Sequence, residues 1–173
     1  MTEYGYIGKI LRVDLSNGNV SEDKLDNKLR QEYLGGSGIG SKILYDELPE
    51  KTDPLSPNNI LIFMTGPLTG TEVIMSGRHT VISKSPLTGM LGYSSCGGYF
   101  GHYLKSAGFD GIIIKGSSDK PVYLDINNGT ASINDASKLW GMKISELKKF
   151  VNTIQEKITT HMKIEEKEIM EGG

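Results

Sequence analysis

The sequence of 173 residues is most telling in what it has little of. Its one cysteine, Cys96, excludes an internal disulfide framework and any cysteine-rich metal or iron–sulfur site made from this chain alone, and fits a reducing compartment. No apolar run approaches the roughly eighteen residues that a membrane-spanning helix needs, and the first residues, MTEYGYIGKILRVDL, lack a signal-peptide pattern. A soluble cytoplasmic protein with no membrane partner is therefore expected. No Lys/Arg run is present, and a formal net charge of −2 gives no basic field, so nucleic acid is excluded as a partner. Apolar content is low at 37%, whereas the 22 glycines are many. That balance implies tight turns and backbone held close to a ligand or to another polypeptide.

The length suits one domain with a true core, or two small half-domains packed together. Tyr6 to Leu15 reads as a strand, and Ser16-Asn17-Gly18-Asn19 as a hairpin turn into Val20-Ser21-Glu22. Leu25, Leu29 and Tyr33 mark a helix stopped by Gly35-Gly36, and a second helix runs from about Gly40 to Leu48 with Ile43, Leu44 and Leu48 inward. The GGSGIG run between them lacks a preceding strand and the GxGxxG spacing, so it is a helix–helix corner and not a dinucleotide loop. Residues 49–59 form a proline-rich loop before the apolar run Ile60 to Met64, a buried strand. Pro-Leu-Thr-Gly occurs at 67–70 and again at 86–89, which suggests paired loops at one edge of a sheet. Gly111 to Gly116 is another buried strand, and Pro121 to Ile126 and Thr130 to Asn134 flank a second Asn-Gly turn. The two hairpins, each followed by an acidic residue and a helix, hint at an internal duplication. A helical segment starts near Met142, and from residue 153 the chain becomes a charged, helix-compatible tail with Ile154, Ile158, Met162 and Ile169 in a stripe.

The chemistry concentrates in GRHTVISKSPLTGMLGYSSCGGYFG, residues 77–101. Phe100, Tyr103, Leu104 and Ala107 recur at helical spacing, so Gly97-Gly98 opens a short helix. Unpaired N–H groups at a helix start attract anions, and glycines let a phosphate approach the main chain. Arg78, ahead of the HTVIS strand, offers a planar bidentate donor for the same phosphate. A Gly-Gly turn before a packing helix, with a surface arginine, reads the same residues equally well. Cys96 is expected as a small buried side chain, Asp110 as a turn residue, and His79, His102 and His161 as structural or exposed, since they share no metal-ligand spacing.

Taken in order, GKILRVDLS from Gly8, DPLSP from Asp53, GPLTGT from Gly66, Gly77-Arg78, KSPLTG from Lys84, GGYFG from Gly97 and KPVY from Lys120 resemble the N-terminal domain of the tungsten-containing aldehyde ferredoxin oxidoreductase family. The resemblance covers residues 4–150 and sets the expected domain at 1–152, with 153–173 as tail. It implies an α+β fold of two related β-rich halves with short helices, forming a base for a bis-pterin tungsten (or molybdenum) cofactor. It also implies that Arg78 contacts a pterin phosphate, that Ser94, Ser95, Cys96, Gly97 and Gly98 run beside the cofactor, and that the Ser95 carbonyl helps to hold Mg²⁺. The family commonly has Asn where this chain has Ser95, a change that a carbonyl ligand would survive. The implied activity is oxidation of aldehydes to carboxylic acids with ferredoxin as acceptor. The [4Fe–4S] ligands and acid–base residues would come from remaining domains or a separate large subunit, so the chain alone should be inactive, and no catalytic residue is assigned within it. Homo-oligomers are compatible with this reading. A stand-alone phosphate- or pterin-binding module and a purely structural interface domain are the alternatives.

Overall fold

The structure, a computed structural model, describes residues 5–149. Two units divide the chain, Met1–Asn134 and Asp135–Gly173. The expected tail from residue 153 lies outside the described residues.

The first unit is built on a six-stranded sheet in the order β2-β1-β6-β3-β4-β5. β1 (Lys9–Asp14) and β2 (Asn19–Lys24) form the Asn-Gly hairpin, with Gly18 at φ 69° as the turn requires. β6 (Gly111–Lys115) lies parallel to β1 and antiparallel to β3 (Leu61–Thr65), and β4 (His79–Lys84) and β5 (Leu91–Cys96) extend the antiparallel side. β7 (Val122–Asn127) and β8 (Thr130–Asp135) make a separate two-stranded sheet. The fold class is α+β, as expected. The two Asn-Gly hairpins recur locally but are placed differently, one inside the large sheet and one apart from it.

Both faces of the large sheet are covered, which is why GIIIK of β6 is apolar without alternation. On one face α1 (Asn27–Glu32) and α2 (Ser37–Glu47) close a core of Ile39, Ile43 and Leu44 over Ile10, Ile62, Met64, Ile82 and Ile113. On the other, α3 (Phe100–Ser106) and the β7–β8 hairpin enclose Leu11, Val13, Leu104, Phe109 and Ile112. Each of these buried apolar side chains contributes about 1.5–3 kcal/mol relative to exposure. α2 begins at Ser37, earlier than the expected Gly40, because Gly36 serves as its N-cap and donates its N–H to the Thr65 carbonyl at 2.9 Å. Gly40 then faces the sheet so closely that a β-carbon would strike the Ile82 side chain. Arg12 clamps the corner from outside, its guanidinium bidentate to Glu47 at 2.7 and 2.6 Å and also paired with Asp23.

The two Pro-Leu-Thr-Gly turns do not pair at one sheet edge. The first follows β3 beyond Thr65, level with His79, and the second follows Lys84 at the far end of the antiparallel β4. Antiparallel pairing of β3 with β4 puts such turns at opposite ends of the strands.

In the second unit Ala136 is buried and residues 144–149 are helical, close to the expected start near Met142.

Candidate functional site

β5 brings the predicted site residues to the edge of the sheet. Its register with β4 sets His79 opposite Cys96 and Thr80 opposite Ser95. Past the last paired residues, His79 and Cys96, the two chains stay close, and Gly77 comes against Gly98. A β-carbon on Gly77 would lie 2.7 Å from the Gly98 carbonyl oxygen. Beyond Gly97 and Gly98 the space is open, with no heavy atom within 4 Å of where their β-carbons would sit. The main chain of the loop that carries Arg78 therefore approaches the glycine turn at Gly98. Arg78 is exposed and makes no ion pair among the described residues.

Hydrogen-bond alternation decides what β5 offers at its free edge. The Ser85 N–H donates to the Met90 carbonyl at 2.8 Å, which makes the odd residues of β4 and their partners the hydrogen-bonded pairs. Ser94 and Cys96 thus turn their main-chain groups toward β4, whereas Ser95 turns its N–H and C=O outward. Among the described residues nothing pairs with that edge. Ser94, Ser95 and Cys96 are all exposed. Cys96 is thus a free surface thiol, contrary to the buried side chain expected, because no element covers β5 on that side.

Beside the turn a cleft of about 400 Å³ is lined by Gly70, Val73, Met75, Ser76, Gly77, Gly98, Tyr99, His102 and Tyr103. Gly98 is the one predicted site residue in its wall; Arg78 and residues 94–97 lie outside it.

Beneath these exposed groups is a rigid support that sequence reasoning missed. Asp110, read as a turn residue, is fully buried, and Lys105 is 6% exposed. The Asp110 carboxylate accepts from Lys105 Nζ at 2.7 Å and from the N–H groups of Ile7 and Gly8 at 3.0 and 2.6 Å. Lys105 Nζ also donates to the Gly5 carbonyl at 2.8 Å and lies 5.2 Å from the centre of the Tyr6 ring. The Asp110 carbonyl accepts from both the N–H and the hydroxyl of Thr65, at 2.9 and 2.6 Å. Tyr6 in turn accepts from the Gly35 N–H at 2.9 Å, and burial raises its phenol pKa. The pair is thus satisfied on every side, as a buried charge must be.

Two contacts pass this rigidity to the loops. A β-carbon on Gly70 would sit 3.1 Å from Lys105 Cβ, so the 66–70 turn packs on α3. From that turn the buried Thr69 hydroxyl donates to the Arg78 carbonyl at 3.0 Å. α3 itself is rotated from expectation: Gly101, Leu104 and Lys105 face inward and Tyr103 is exposed. Phe100 stays in contact through its ring, 4.6 Å from that of His79 and 5.7 Å from that of Phe63. His79 is buried, its Nδ1 has no partner among the described residues, and burial lowers its pKa below 6.5. It is structural, as expected, and neutral. His102 is exposed, and His161 lies outside the described residues. The signal for the support was a carboxylate directly ahead of a buried strand, five residues after a lysine in a helix.

Among the described residues no group of three or more His, Cys, Asp or Glu side chains could hold a metal, and no helix is long and apolar enough to cross a membrane.

Comparison with known proteins places this geometry. The family model for the aldehyde ferredoxin oxidoreductase N-terminal domain matches residues 10–165. The tungsten-containing aldehyde ferredoxin oxidoreductase of Pyrococcus horikoshii is 49% identical over 148 residues, 86% of this chain and 24% of that protein. An aliphatic sulfonate oxidoreductase, WOR-like subunit, of Pyrococcus furiosus is 42% identical over 172 residues, 98% of this chain and 26% of that protein. Among solved structures, the active site complex BamBC of benzoyl coenzyme A reductase with 1,5-dienoyl-CoA superposes at a TM-score of 0.85 and 38% identity, over 88% of this chain and 23% of that one. The chain spans about a quarter of the length of the curated relatives it matches.

Proposed function

Because this chain belongs to the aldehyde ferredoxin oxidoreductase family, by its N-terminal domain, we propose that it forms one wall of a tungsten–pterin site in a larger oxidoreductase. Arg78 and the Gly97-Gly98 turn would hold a pterin phosphate, with Ser94, Ser95 and Cys96 running alongside. The observation that carries this reading is the close approach of Gly77 to Gly98, which brings the main chain next to Arg78 against an open glycine turn.

The residues present suit such a group. Phosphate oxygens call for N–H donors and a planar cation, and they need space that a side chain at Gly97 or Gly98 would fill. A Mg²⁺ ion accepts hard oxygen ligands, and the outward Ser95 carbonyl on a strand with two serine hydroxyls is of that kind. Cys96 is a side-chain neighbour here and not a tungsten ligand. When bound, the cofactor would supply the oxidation of an aldehyde to a carboxylic acid. The chain's part is to bind and orient it. Ferredoxin, as electron acceptor, and the [4Fe–4S] cluster belong to the portion of the enzyme outside this chain. The substrate is set there too, and the relative named for aliphatic sulfonates favours a second reading in which it is a sulfonate.

The test is Arg78→Ala in the whole enzyme. A bidentate charged hydrogen bond is worth about 1.5–3 kcal/mol, so tungsten and pterin retained after dialysis should fall by roughly tenfold or more, with the melting point of the cofactor-free enzyme unchanged. Full retention would refute the reading.

A further inference from the structure

On the opposite flank of β5 from its Gly97 end, between that strand and α2, lies a groove of about 870 Å³. Its apolar wall is open to solvent in this chain: Tyr45 is 83% exposed, Met90 68%, Tyr93 65% and Leu91 50%. Lys42 and Lys84 stand among its lining residues, and both are occupied, Lys42 by Asp46 and Lys84 by the carbonyls of Glu50 and Thr52. The groove therefore offers apolar area with few free charges. Its floor strand, LGYSSC, ends the sheet with no charged residue and no proline, the usual devices that keep an exposed edge from pairing. Single exposed apolar residues are ordinary on a protein surface, whereas a contiguous set in a groove beside an unprotected edge marks an interface.

We infer that this groove is covered by an apolar segment of the rest of the oxidoreductase polypeptide, whether continuous with this chain or carried by a separate subunit. Two observations identify the occupant. The matched part of this chain covers only 24% of its relative from Pyrococcus horikoshii, so about three quarters of that protein lies outside the match. The strand that floors the groove also runs directly into Gly97-Gly98, so a segment seated on Tyr93 and Leu91 would close the sheet edge next to the proposed cofactor wall. The inference rests on the chain being part of a larger oxidoreductase and not on which cofactor that enzyme binds.

A photoreactive benzoylphenylalanine at position 93, close in size to the tyrosine it replaces, tests this in the whole enzyme, with the same substitution at Tyr45 as a second site. Irradiation followed by peptide mass spectrometry should give adducts with peptides outside the 173 residues at both positions. Adducts confined to this chain's own sequence, which would include pairing with a second copy, or no adduct at either position, would overturn the inference. Because the readout is a peptide and not tungsten, its failure is distinguishable from failure of the Arg78→Ala prediction.

Discussion

The corner where α3 meets β6 and the edge formed by β5 sit at the two ends of one design. In the corner, every polar group of Lys105 and Asp110 has a partner inside the chain. At the edge, Ser94 to Gly98 are exposed, and the outward main-chain groups of Ser95 have no partner among the described residues. The first region is finished by its own sequence. On the proposed reading the second is finished by something else, a ligand at Gly97-Gly98 and polypeptide along the groove. On that reading stability is concentrated in the corner, and binding at the edge.

The sharpest way to break that contrast is Asp110→Ala. Removing one member of a buried pair strands the other charge, at a cost of about 3–5 kcal/mol, measurable as a lowered denaturation midpoint. The double replacement Lys105→Met with Asp110→Leu should recover part of the loss, because no charge is left stranded, while the Ile7 and Gly8 N–H groups and the Gly5 carbonyl still lose their partner. No recovery would mean that the main-chain bonds to Ile7 and Gly8, and not the ion pair, dominate the corner.

A smaller effect comes from His79, which packs where the corner meets the edge. Its folded pKa is depressed by burial below 6.5, so the unfolded chain binds the proton first as pH falls. In that window the unfolded state carries more protons, and stability declines as pH drops through 6.5 until the folded chain protonates as well. His79→Phe keeps a ring against Phe100 and Phe63 and should flatten this part of the pH profile. An unchanged slope in chemical denaturation at pH 7 and pH 5.5 would assign it to another group.

The smallest effect belongs to the edge. Tyr93→Lys should change the chain's own stability by no more than about 0.5 kcal/mol, as is usual for an exposed position. A loss comparable to that of Asp110→Ala would show that β5 is already part of the core and would erase the comparison.

The same division explains what could be read from the residues in order. Strands β1, β3 and β6 and the Asn-Gly turns were legible because local period and turn chemistry decide them. The family was legible because its motifs recur in sequence order. Asp110 lies in the bend ahead of β6, as expected of a turn residue, but its burial was not legible because its partners Ile7 and Gly8 lie about a hundred residues away and no local pattern announces such a contact. Cys96 was misread because exposure depends on whether a neighbouring strand exists, which LGYSSC cannot reveal. The rotation of α3 has the same origin: Phe100 and Tyr103 match the helical period, yet Lys105 is drawn inward by the buried carboxylate.

The most direct test of the account is a crystal structure of the tungsten-loaded enzyme. It should show a phosphate oxygen within about 3 Å of the Arg78 guanidinium and of a Gly97 or Gly98 N–H. A cofactor whose phosphates lie on another part of the enzyme, with Arg78 left in solvent, would contradict it.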